Sequence, residues 1–179
     1  MAENAPTPPG GAQPADASQA GAQAPRMSIL SQYIKDLSFE NPRAPSSLEP
    51  GKSRPEIQVR VDARAQELGA ERYEVTFQLH CEAKVGADAV FMVELTYAGL
   101  FSLSNVPRES LQPVLLIECP RLLFPFARRI VADVTRDGGF PPLMIDPIDF
   151  VALYRRRQEQ AQPGAQPQPP ASNGGQTTA

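Results

Sequence analysis

From Tyr73 to Val85 every second residue is apolar without a break: Tyr73, Val75, Phe77, Leu79, Cys81, Ala83 and Val85. Glu74, Thr76, Gln78, His80, Glu82 and Lys84 fill the positions between them. Successive side chains of an extended chain point to opposite faces. Alternation this long therefore calls for a β-strand with one buried and one wet face.

The neighbouring segments obey the same rule. Gly86-Ala87-Asp88 supplies a short turn, and Ala89 to Leu103 forms a second strand with Phe91, Val93, Leu95 and Tyr97 opposite Met92, Glu94 and Thr96. Two long strands joined this tightly make an antiparallel hairpin. Gly99 is expected to mark a bulge or bend within it. Upstream, Ile57, Val59 and Val61 alternate with Glu56, Gln58 and Arg60, a short third strand. A fourth runs from Ile29 to Glu40, with Asp36, Ser38 and Glu40 on one face and Tyr33, Leu37 and Phe39 on the other. The prolines at 42 and 45 end it, because proline cannot continue a ladder.

Beyond Asn105 the period changes. Leu111, Val114 and Leu115, then Leu123, Phe126, Ala127, Ile130 and Val134, fall at three- and four-residue steps, which is helical. Pro113, Pro120 and Pro125 predict a kink or break, and Asp137-Gly138-Gly139 a stop with glycine in the left-handed conformation. Asp146-Pro147 reads as the N-cap and first-turn proline of a last helix with Phe150, Leu153 and Tyr154 on its apolar stripe. The expected fold class is α+β: a meander-like, four-stranded antiparallel sheet, then a kinked long helix and a C-terminal helix, in one domain.

Composition sets the limits of that domain. Of the 179 residues, 1–26 and 158–179 are rich in Ala, Pro, Gln and Gly, too poor in apolar surface to offset the entropy of ordering; both are expected to be disordered tails flanking a domain at 27–157. A net charge of −3 gives no basic surplus for nucleic acid, and Arg155, Arg156 and Arg157 read as a solvated helix end. No secretory leader and no span-length apolar run is visible, so a cytoplasmic location without membrane insertion is expected. Cys81 and Cys119 have no metal-ligand spacing and are expected to be reduced and buried.

No reaction is visible. His80, the only histidine, sits on the polar face of its strand with no second histidine to join it. Gly138-Gly139 follows a helix, where a phosphate loop would precede one. Asp146 and Asp149 are accounted for by helix capping, so no enzyme, cofactor or metal is expected. Two surfaces remain. Phe124, Phe126, Phe140, Phe150 and Tyr154 lie in a proline-interrupted apolar segment that serves either as core or as the lining of a groove. Asp36, Glu40 and Glu94 can share the open sheet face, either as solvating charges or as a docking patch.

Several segments resemble the bacterial protein-export chaperone family SecB. They are Tyr33-Ile34-Lys35-Asp36-Leu37-Ser38-Phe39-Glu40-Asn41-Pro42, the hairpin ending Gly99-Leu100-Phe101-Ser102-Leu103, and Cys119-Pro120-Arg121-Leu122-Leu123-Phe124-Pro125-Phe126-Ala127-Arg128. Gly139-Phe140-Pro141 and Pro147-Ile148-Asp149-Phe150 complete the set, in order across residues 27–157. The resemblance implies an ATP-independent holdase, a homotetramer built as a dimer of dimers, that binds unfolded preproteins and delivers them to the motor ATPase SecA. It implies that Asp36, Glu40, Met92 and Glu94 receive SecA's basic, zinc-bearing tail, the zinc belonging to that partner. It places the client groove at Leu123, Phe124, Phe126, Phe140, Phe150 and Tyr154. Phe126 stands where the family often has tyrosine, and the tails match nothing residue by residue. The rival reading, a small-molecule or lipid-binding α+β carrier or enzyme, would need a pocket with several convergent polar groups.

Overall fold

The structure, a computed structural model, describes residues 24–49 and 54–161. Its strands are β1 (Arg26–Glu40), β2 (Glu56–Gly69), β3 (Arg72–Val85) and β4 (Asp88–Ser104). Its helices are α1 (Arg108–Pro113), α2 (Cys119–Asp137) and α3 (Phe150–Ala161), with a π-helical stretch, Val114–Glu118, joining the first two. The expected tails fall almost entirely outside the described residues. Where they do not, part is regular: Arg26 begins β1, after residues 24 and 25 outside any element, and Gln158 to Ala161 complete α3.

The four strands pair antiparallel in the order β1-β4-β3-β2. β2, β3 and β4 form a meander, whereas β1 joins the far edge beside β4, so the sheet has a Greek-key order and the expected simple meander is corrected. The alternation in β3 reappears as burial: Val75, Phe77, Cys81 and Ala83 are fully buried, and their neighbours are half-exposed. Gly86, at φ 62°, opens a two-residue turn pairing Val85 with Asp88. β2 is more than twice its expected length, continuing through Asp62, Ala63, Arg64 and Ala65 opposite β3.

Two further expectations are corrected. Gly99 interrupts neither ladder: it pairs in register with Val75 and Gln32. Its missing side chain instead makes room for α2. In β1, register shifts at Leu30 and Lys35 insert two bulges. The second inverts the alternation, so Tyr33 lies opposite Ala98 on the open face with Asp36, not on the face of Leu37 and Phe39.

Helical structure runs from Arg108 to Asp137 in spite of its prolines. Cys119 donates to the carbonyl of Val114, five residues back, and Leu115, Leu116 and Ile117 hold that widened turn against the core. The helix ends in a Schellman motif: Phe140 N–H bonds Thr135 O at 3.1 Å, Gly139 N–H bonds Arg136 O at 3.0 Å, and Gly139 takes φ 89°. α3 starts later than expected. Asp149, not Asp146, caps it, its Oδ1 accepting from Ala152 N–H at 3.0 Å.

Candidate functional site

The two faces of the sheet differ in chemistry. On the open face, β1 and β4 place Asp36 opposite Thr96, Ser38 opposite Glu94 and Glu40 opposite Met92. All four residues of the expected docking patch thus share one face, over three successive open-face rungs of one ladder. Among the described residues neither Asp36 nor Glu40 takes part in an ion pair, and Glu94 meets only His80, whose Nδ1 lies 3.0 Å from Glu94 Oε1. Two other carboxylates of this face are matched by cations. Glu82 accepts from Lys84 Nζ at 2.9 Å, a hydrogen bond that holds its carboxyl below the usual range. Glu74 receives Lys35 Nζ at 2.7 Å and the Tyr33 hydroxyl at 2.5 Å. Those two bonds, Lys35 first, hold the Glu74 carboxyl low, and the same contact raises the Tyr33 phenol. Among the described residues, the carboxylates of this face with no ion pair are thus Asp36 and Glu40, beside Glu94, and Glu56 on β2. The partnering of Glu74 by Lys35 and Tyr33 could not be read from the sequence, because it depends on the bulge.

The helix-side face is apolar, and its aromatic rings are shared between core and surface. Phe77, Phe124 and Phe150 form a closed triad of edge-on rings with centroids 5.7 to 6.1 Å apart. With Leu123 at 0% exposure, Phe124 and Phe150 are core in this chain, which corrects the expectation that all six residues line a surface. The cause is β3: Phe77 rises from the middle of the sheet, and both helices close on it. The others remain accessible. Phe126 is 45% exposed, stacked 6.5 Å from Tyr97, and Phe140 and Tyr154 are half-buried.

Phe140 lies 4.8 Å from Phe91 and lines an open trough of about 770 Å³ with Ile57, Val90, Leu143 and Met144. Its wall is held by Thr135, which is fully buried: its Oγ1 donates to carbonyls of α2 and accepts from Leu143 N–H at 2.9 Å. Tyr154 lines a second open trough, of about 860 Å³, floored by Val59, Val61, Leu116 and Leu153. Four arginines rim it: Arg60, Arg64, Arg156 and Arg157. β2 runs along both troughs. Sequence reasoning missed the exposed Ile57 and Val59 as lining, because alternation alone assigns them to a buried face.

Cys81 and Cys119 are buried free thiols, pushed up to about 11 and about 12 by burial, with the Glu118 charge adding to the latter. Among the described residues no cluster of His, Cys, Asp and Glu could hold a metal, and no helix is long and apolar enough to cross a membrane.

Residues 20–161 match the protein family described as preprotein translocase subunit SecB. The protein-export protein SecB of Parvibaculum lavamentivorans (strain DS-1) is 59% identical over 139 residues, covering 78% of this chain and 83% of the relative. That of Maricaulis maris (strain MCS10) is 51% identical over 156 residues, covering 86% and 90%. The fold is also found in the SecB-like chaperone of Mycobacterium tuberculosis, solved in complex with a peptide from an antitoxin. Its TM-score is 0.58 at 19% identity, covering 69% of this chain and 91% of that one.

Proposed function

This chain belongs to the SecB family and is a protein-export chaperone, not an enzyme; on that premise we propose that it is an ATP-independent holdase that keeps unfolded preproteins competent for translocation and delivers them to SecA. The observation that carries the holdase reading is the pair of open, apolar-floored troughs along β2, with Phe140 and Tyr154 at their walls. Sheltering one large apolar side chain of a client is worth about 1.5–3 kcal/mol, too little alone to outweigh ordering costs. Many weak contacts on one chain supply avidity, and each dissociates by itself, so release needs no nucleotide.

The groove so proposed comprises Phe140 and Tyr154 with Ile57, Val59 and Met144, above a floor supported by Leu123, Phe124 and Phe150. The peptide held by the SecB-like chaperone of the same fold is an occupant of the kind proposed here. Phe126 is assigned to subunit contact instead. Together with the exposed Ile29, Leu30 and Ile34 of β1 it is apolar surface that a homotetramer, a dimer of dimers, would cover. The unneutralised patch of Asp36, Glu40 and Glu94 around Met92 is assigned to the basic tail of SecA.

The test is dilution of a chemically unfolded secretory precursor into buffer with and without the protein. Suppressed aggregation and a stable complex are expected without ATP. Unchanged aggregation rejects the holdase reading.

A further inference from the structure

Lys35 is the extra residue of the second bulge in β1, and the next residue is Asp36 of the acidic patch. On a regular strand two successive side chains point to opposite faces. Here the bulge sets both on the open face. Asp36 stands opposite Thr96, and Lys35 Nζ reaches Glu74, an open-face residue of β3. A lysine and an aspartate side by side on one face are placed to pair, yet among the described residues these two do not. The ammonium of Lys35 lies 2.7 Å from Glu74 Oε2 instead, and the Tyr33 hydroxyl donates to Glu74 Oε1 at 2.5 Å. Both reach Glu74 across β4, beside Ala98, whose side chain is a single methyl. The Glu74 side chain is only 12% exposed, against 57% for Glu94. Glu74 is therefore shielded from a docking partner, and its bond to Lys35 is screened less than a fully exposed pair.

We propose that Glu74 is a positioning residue of the acidic patch: it holds Lys35 off Asp36, with Tyr33 fixing its carboxylate, so that Asp36 meets a basic partner with its charge free. The inference rests on the SecA-docking reading above and names how the docking face keeps its sign. Once released from Glu74, Lys35 pairs with Asp36. An incoming cation must then displace it, and the patch of Asp36, Glu40 and Glu94 is left with one carboxylate already taken.

The test is a double-mutant cycle on the intact protein, read by titration calorimetry with the basic, zinc-loaded tail peptide of SecA. Glu74→Gln is expected to weaken tail binding about threefold, in line with one exposed ion pair, and added salt should shrink the effect. In that background Lys35→Gln should recover the loss, because no cation remains to cover Asp36. Lys35→Gln alone should change affinity less than about twofold, since Glu74 already holds the charge it removes. Client capture and urea midpoints should stay level across the set. Should Glu74→Gln not fold, Tyr33→Phe, with and without Lys35→Gln, runs the same cycle without changing the charge at Glu74. An equal gain from Lys35→Gln in both backgrounds is a plain sum of charges; it overturns the positioning role and leaves the docking reading standing. A loss on Glu74→Gln that Lys35→Gln does not recover makes Glu74 a direct contact and overturns it too. No binding of the tail by the unsubstituted protein overturns the docking reading and this inference with it.

Discussion

Leu123 of α2 packs onto the sheet at Gly99 of β4 so closely that a Cβ on the glycine would lie 2.8 Å from Leu123 Cδ2 and 2.6 Å from Phe101 Cε2. Both partners are core side chains at 0% exposure. Neither has free space to retreat into, so Gly99→Ala is expected to destabilise the domain by about 1–3 kcal/mol through overpacking. Urea denaturation monitored by circular dichroism measures this. An unchanged midpoint would show that α2 can shift outward at no cost.

Thr135 is the hinge pin of the first trough. Thr135→Val keeps the shape but leaves the buried N–H of Leu143 without an acceptor, at a cost of about 1–3 kcal/mol. Amide exchange at Leu143 should accelerate and client capture weaken. Thr135→Ser, retaining the hydroxyl, should restore most of both.

Glu94→Lys reverses one charge in the acidic patch and places a cation beside His80. Exposed charges interact weakly, so the expected loss is about 1–2 kcal/mol, or ~5–30-fold, in affinity for the basic tail of SecA. The effect should shrink with added salt. Titration calorimetry with a tail peptide reads it, and client capture should be unaffected. Equal affinities for both proteins would remove the patch from the docking surface.

The buried thiols set a pH dependence. Burial raises Cys81 to about 11 and Cys119 to about 12, so above the ordinary thiol value of about 8.5 the folded chain retains protons that the unfolded chain releases. Stability from this source is fully present below that pH and declines as pH rises toward 11 and 12. The slope is at most about 1.4 kcal/mol per pH unit for each thiol. Denaturation midpoints at pH 8 and pH 10 should diverge more for the native chain than for Cys81→Ala/Cys119→Ala. Neither thiol should react with iodoacetamide at pH 8 in the folded protein.

Much of this fold is legible in the sequence wherever burial and periodicity coincide. β3 and β4 show their faces residue by residue, and the stop at Gly139 follows from glycine chemistry. β2 is cut short at Val61 in the sequence because Ala63 and Ala65 are weak apolar signals, although Ala63 is 4% exposed. Asp146 and Asp149 are equivalent as caps on paper; only the folded backbone chooses Asp149. The same limit applies to the site. The acidic patch could be anticipated because parity along paired strands is a local property. The partition of rings between core and trough could not, since it turns on Phe77 drawing Phe124 and Phe150 inward from segments far away in the chain.

The two bulges of β1 cancel each other. Residues 31–34 ride reversed between them, while Met27 and Ile29 regain the orientation of Leu37 and Phe39. Orientation along this edge is thus a reading frame carried in space. Removing Lys35 would take out only the unpaired residue: Ile34 opposite Tyr97 would follow directly on Asp36 opposite Thr96, and Met27 and Ile29 would keep their face. Forcing Lys35 into the ladder would instead turn everything before it over, so the deletion should be milder than any change that straightens the bulge with the residue kept.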